Sequence, residues 1–276
     1  MDFEQIDIAK AKDLFDLIDK REQEKKWIYR GQGDSSWGLQ TSIDRMFEDP
    51  LSISTSKLNT EIALLKRFQR ESHHYGINNI DLLNIPEWLS LMQHYGAPTR
   101  LLDWTHSPWV GLFFAIVELG DKKNAALWLA DWTAIDNKGN STVKDKFKCD
   151  HNLVSVENFS DVINSGDGVI KLNSFKQNQR QIIQQGTFLF PLNVEKTFEE
   201  NLGSTLTKSE LTKIILPYDI KHDLMRTLYR MNISYTTLYP GIEGFGRSLK
   251  HLYHIDGIMK LENDIKDYLS YKKKFE

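Results

Sequence analysis

The chain has 276 residues, 40% hydrophobic and 26% charged, with a formal net charge of -3, enough apolar material for one large core and too little positive charge for a broad nucleic-acid footprint. The single cysteine, Cys149, excludes a disulfide within the chain and fits a reducing compartment. The acidic start Met1-Asp2-Phe3-Glu4 lacks an apolar leader and the run Trp109 to Leu119 is too short to cross a bilayer, so a cytoplasmic protein that engages no membrane is expected.

The predicted elements begin with a helix over Ile8 to Arg21, where Ala11, Leu14, Phe15 and Ile18 fall on one face. A strand follows at Trp27 to Gln32, then a Gly-Asp-Ser-Ser turn and a partner strand at Trp37 to Gln40. Ser42 is placed to cap a short helix that ends near Phe47. Leu58 to Tyr75 reads as a long amphipathic helix. Pro86 opens another, which runs to Tyr95 and is stopped by Gly96-Ala97-Pro98. Thr99 to Thr105 is expected to be irregular or briefly extended. Ser107-Pro108 pairs an N-cap with a first-turn proline, and the helix after it, to Leu119, is apolar all round and therefore central and buried.

From Ala125 the period shortens. Strands are predicted at Ala126 to Ala130, Gly168 to Leu172, Thr187 to Leu192, Lys213 to Pro217 and Ser234 to Tyr239, with helices over Asp219 to Met231 and Gly241 to His254. The polar span 133–165 is read as an irregular variable insertion, and Tyr271 to Glu276 as a fraying end. The fold class is α+β: a single domain with a central mixed or antiparallel sheet, flanking helices and one buried helix.

Four segments can carry chemistry. In Tyr29-Arg30-Gly31-Gln32 a planar guanidinium stands beside a residue with no Cβ, which suits a phosphate or carboxylate that approaches the main chain; a surface arginine at a strand end would look the same. In Gln93 to Thr105 polar residues lie between two core helices and must find partners or ligands. Arg100 and Asp103 can pair with each other, Thr99 can contact a ligand, and Thr105 can cap the next helix. His94 is a candidate acid or base, and Trp104 is either a stacking ring or core. The third segment, Asn178 to Phe188, offers Arg180 to an anion and Gln184 or Gln185 to sugar hydroxyls. In the fourth, Thr236 to Phe245, Glu243 opens a helix where its carboxylate is favoured by the dipole. Phosphate loops, dinucleotide glycine fingerprints, zinc spacings, two-metal carboxylate clusters and a Gly-x-Ser-x-Gly elbow are all missing, so no metal is expected.

Together these segments resemble the FRG domain, a family named for a Phe/Tyr-Arg-Gly motif, with Trp27-Ile28-Tyr29-Arg30-Gly31-Gln32, Gln93 to Thr105, Gln184-Gln185-Gly186-Thr187-Phe188 and Thr237 to Gly244 as the matching runs. The resemblance spans roughly residues 27 to 250. It implies an N-terminal helical extension over 1–26, an FRG-like domain over 27–255 with its variable insertion at 133–165, and a tail over 256–276. The family's spread among bacteria and phages implies a role in conflict or defence. Tyr29-Arg30-Gly31 is also similar to the opening motif of arginine-bearing ADP-ribosyltransferases. That likeness implies NAD as substrate, Arg30 as diphosphate clamp, Trp104 or Phe188 as stacking ring and Glu243 as the carboxylate, with His94 and Asp103 as further catalytic candidates. Gln184-Gln185 stands where those enzymes carry Glu-x-Glu. Two other readings stay open. One is a non-catalytic sensor that binds a nucleotide or phage-derived ligand and signals to a protein partner. The other is a nucleic-acid binder that uses Lys66, Arg67 and Arg70.

Overall fold

The computed structural model describes residues 1–49, 56–118, 122–147, 166–172, 179–255, 266–268 and 270–271. Seven strands, β1 Glu4–Asp7, β2 Trp27–Gln32, β3 Leu102–Thr105, β4 Ala125–Asp131, β5 Val169–Leu172, β6 Gly186–Pro191 and β7 Leu211–Leu216, form one sheet in the order β1-β7-β4-β2-β3-β6-β5. Among the described residues only the β1–β7 pair is parallel; the other pairs are antiparallel. The α+β single-domain expectation therefore holds.

The helices are α1 Ala11–Glu24, α2 Ser42–Glu48, α3 Lys57–Glu71, α4 Ile85–His94, α5 Pro108–Ile116, α6 Trp132–Phe147, α7 Gln179–Ile183, α8 Phe198–Thr205, α9 Lys221–Arg230, α10 Tyr235–Leu238 and α11 Ile242–Ile255. Both faces of the sheet are covered, which is why β4 is buried along its whole length and reads as a continuous apolar run. On one face Leu14, Phe113, Leu224 and Tyr235 pack against Trp27, Tyr29 and Leu127. On the other, Leu39, Ile135, Phe198 and Leu202 cover Ile28, Trp104 and Trp128. A third layer joins α3 and α4 to β5 and β6 through Leu65, Trp88, Met92, Ile170 and Phe190.

Helix α5 is as buried as its composition demands, capped by Ser107. It crosses β2 at two glycines. A Cβ on Gly31 would lie 2.1 Å from the Gly111 carbonyl oxygen, and one on Gly111 would lie 2.7 Å from the Tyr29 Cβ. Gly31 is thus required by helix–sheet contact, not by ligand approach.

Several expectations are corrected. Trp37 to Gln40 is not a strand: Gln32 Nε2 donates to the Gly38 carbonyl at 2.8 Å and Glu199 Oε1 accepts from Leu39 N–H at 2.7 Å, so side chains replace a ladder. Ser234 to Tyr239 is helical at its centre because Ser234 and Thr237 form a reciprocal cap. The span after Trp132 is helical to Phe147, opened by Asp131 accepting from Ala134 N–H. Thr41, paired with Asp44, caps α2 in place of Ser42. Strand β1 and helix α8, the latter opened by a Thr197–Glu200 box, were not anticipated. With β1 in the sheet and Leu14 and Ile18 in the core, residues 4–24 are part of the main body. Cys149, Asn178 and most of the tail lie outside the described residues. No described helix is long and apolar enough to cross a membrane.

Candidate functional site

The sheet is two halves held by a single pair. Strand β2 pairs with β4 along six residues and β3 with β6 along four, yet β2 meets β3 only at Tyr29–Thr105. Past that pair the two strands have no further ladder, and a cavity of about 730 Å³ opens at the seam, a size suited to a small-molecule ligand.

Arg30 stands in the wall of this cavity. Its Nη1 donates to the Asp103 carbonyl oxygen at 2.6 Å. Burial pulls its pKa below the ordinary guanidinium value; the charge of Asp103 opposes that shift and Arg45 adds to it. Among the described residues two buried side-chain nitrogens have no hydrogen-bond partner, Arg30 Nε and Trp104 Nε1. Each such orphan costs about 1–3 kcal/mol.

The second segment divides sharply. Gln93 and Asp103 line the cavity, and the Gln93 amide donates to Asp103 Oδ2 at 2.7 Å. Thr99 is fully buried and is not a cavity residue; its hydroxyl donates to Gln93 Oε1 at 2.6 Å, which fixes the amide's orientation. Arg100 is also fully buried, and its partner is Glu61 rather than Asp103. Its Nε donates to Glu61 Oε2 at 2.7 Å, its Nη2 reaches the same oxygen, and it stacks on Phe190 at 4.8 Å. It is a structural clamp. Thr105 lines the cavity; its hydroxyl donates to the Gln184 carbonyl at 2.7 Å and accepts at 3.0 Å from the N–H of Ser107, the residue that caps α5. Trp104 is core, only 3% exposed.

Tyr29 contributes to the cavity lining, but its ring is buried and its hydroxyl donates to Glu22; burial, reinforced by Glu22, raises its pKa. Gln32 lines the cavity with both amide ends engaged, by the Trp128 indole and the Gly38 carbonyl. From the third segment Arg180, Gln184 and Phe188 face the cavity. Gln184 donates to the Leu238 carbonyl at 3.0 Å. Gln185 does not line it; it is exposed, has φ +48°, and offers its carbonyl to His106 N–H.

Arg180 donates to Tyr239 Oη at 3.0 Å and lies 4.1 Å from its ring centroid. Together with His94, Tyr239 and Glu243 it lines a smaller annex of about 290 Å³. Glu243 is absent from the main cavity and is ion-paired to Arg247 at 2.8 Å. The His94 pKa is lowered, first by burial and then by Arg180, against the pull of Glu243. Sequence reasoning missed Arg45, which brings a third arginine to the cavity, and the ring of Trp37, which lies at its edge and is 56% exposed. Neither position belongs to a motif that could have flagged it. No group of three or more His, Cys, Asp or Glu residues that could hold a metal occurs among the described residues.

No curated protein and no solved structure matches the chain. The family model of the FRG domain matches residues 25–124, the stretch that carries Arg30, Asp103, Trp104 and both crossing glycines. That match covers 100 of the 276 residues and supports the FRG resemblance within this stretch.

Proposed function

We propose that the seam cavity binds a nucleotide of the NAD class through its phosphates, and that the protein acts on it as an ADP-ribosyltransferase or NAD glycohydrolase-like enzyme, in the bacterial or phage conflict setting that the resemblance implies. The observation that carries the reading is the convergence of Arg30, Arg45 and Arg180 on one cavity that also holds the exposed Trp37 ring. Guanidinium groups bind phosphate oxygens in a fixed planar geometry, and an exposed aromatic offers a face to a base or nicotinamide ring.

In this reading the bond between ribose C1′ and the nicotinamide nitrogen breaks, and its electron pair leaves with nicotinamide. The oxocarbenium-like carbon is then met by an oxygen or nitrogen nucleophile, which loses its proton to a base. Asp103, oriented by Gln93, is one carboxylate of the cavity, which Asp34 and Glu118 also line, and His94 lines both the cavity and the annex that holds Glu243. Incubation of the full chain with NAD is expected to release nicotinamide, and Arg30→Ala is expected to lower turnover or affinity at least about tenfold. Unchanged kinetics in a folded Arg30→Ala protein would defeat the assignment.

One observation favours a second reading. Glu243 is tied to Arg247 and faces the annex rather than the main cavity, an arrangement equally suited to a sensor that binds without turnover. That sensor would show saturable thermal stabilisation by NAD with no nicotinamide formed.

A further inference from the structure

Arg30 and Trp104 are neighbours across the seam. Tyr29 pairs with Thr105, so Arg30 and Trp104 are each the next residue beyond the one bridge that joins the two antiparallel strands. Trp104 shares a core layer with Ile28, and Arg30, two residues on from Ile28, projects from the same face of the sheet. The bond from Arg30 Nη1 to the Asp103 carbonyl holds the guanidinium against the segment that carries Trp104. Both side chains line the cavity, and each retains one buried N–H without an acceptor. A single orphaned donor is a local defect. Two of them, adjacent in one cavity wall, are a donor pair that lacks its acceptor.

We infer that Arg30 Nε–H and Trp104 Nε1–H form a two-donor seat for one phosphate oxygen of the ligand, with Trp104 acting as a hydrogen-bond donor rather than as a stacking ring. This rests on the nucleotide reading above and assigns the stacking role to Trp37 instead. Neither donor can accept a hydrogen bond. The seat therefore selects an acceptor that asks for none in return, a deprotonated oxyanion, over a hydroxyl or an amide. Both nitrogens are buried in residues that line the cavity, so in this proposal the two side chains turn toward the entering oxygen and the indole environment changes on binding.

The test uses the ¹⁵N-labelled full chain and follows the indole N–H resonances of its 7 tryptophans while pyrophosphate, ADP-ribose or adenosine is added. Assignment of the wild-type indoles by triple resonance makes the result independent of any variant's folding. The Trp104 resonance is expected to move downfield with pyrophosphate and with ADP-ribose, and to stay still with adenosine. Trp104→Phe, which keeps a ring but loses the donor, is expected to weaken pyrophosphate about tenfold. If ADP-ribose binds and shifts the Trp37 indole while that of Trp104 stays still, the seat is wrong and the nucleotide reading survives. If no phosphate probe binds, both are overturned.

Discussion

At the residue scale, the glycine of the Tyr29-Arg30-Gly31 motif has a structural cause. Its missing Cβ lets α5 lie against β2, and that contact fixes the strand from which Arg30 reaches the cavity. A methyl group there overlaps the Gly111 carbonyl, and neither element can move without disturbing the buried helix. Gly31→Ala is expected to lower stability by about 2–3 kcal/mol, read as a lower urea midpoint at unchanged slope. The effect of Gly111→Ala should combine with it less than additively, because both press on one crossing. The sequence showed that Arg30 and Gly31 mattered without showing why, since the answer lay about eighty residues away in α5. The same distance problem misled the reading of Arg100. Asp103 was the carboxylate in view, whereas Glu61, its actual partner, sits on α3 inside an ordinary amphipathic pattern.

At the element scale, the Glu61–Arg100 pair ties α3 to the chain entering β3, and Arg100 Nη1 adds a contact at 3.4 Å to the Pro191 carbonyl at the end of β6. Helix α3 is otherwise held by a satellite layer rather than by the main core. Glu61→Ala would leave a guanidinium buried without its charge partner, and removal of one member of a buried pair costs about 3–5 kcal/mol. The expected outcome is loss of that much stability. Arg100→Met, which removes the isolated charge and refills the space, should recover part of it in the Glu61→Ala background. A thermal or denaturant double-mutant cycle reads both values. Elements whose period was strong were legible in the sequence: β2 was bounded correctly and α5 was recognised as buried. Those missed were polar edge pieces such as β1, where half the residues face solvent, and short helices such as α8 and α10, where the cap rather than an apolar stripe carries the signal.

At the scale of the whole molecule, the four motif segments do meet, and the meeting place is the weakest line of the sheet. A seam held by one residue pair leaves backbone and side chains of both halves free to face a ligand, which a fully laddered sheet would not. Its electrostatics make a prediction with opposing signs. The folded-state pKa of His94 lies below the ordinary value of 6.5, as does that of His106, each lowered first by burial. A base whose pKa falls on folding takes up protons more readily when unfolded, so the stability these two contribute is present above pH 6.5 and is lost as the pH falls below it. The empty protein should therefore melt lower at pH 5.5 than at pH 7.5. Binding of a phosphate-bearing ligand should run the other way. His94 shares the annex with Arg180, whose charge depresses its protonation; an anion held by Arg180 cancels that repulsion and raises the His94 pKa, so proton and ligand are taken up together. Affinity for ADP-ribose should rise as pH falls from 7.5 to 5.5 while intrinsic stability drops, and His94→Gln should flatten the affinity profile without abolishing binding. An affinity that is independent of pH, or that weakens in acid, would show that the annex takes no part in holding the ligand's charge.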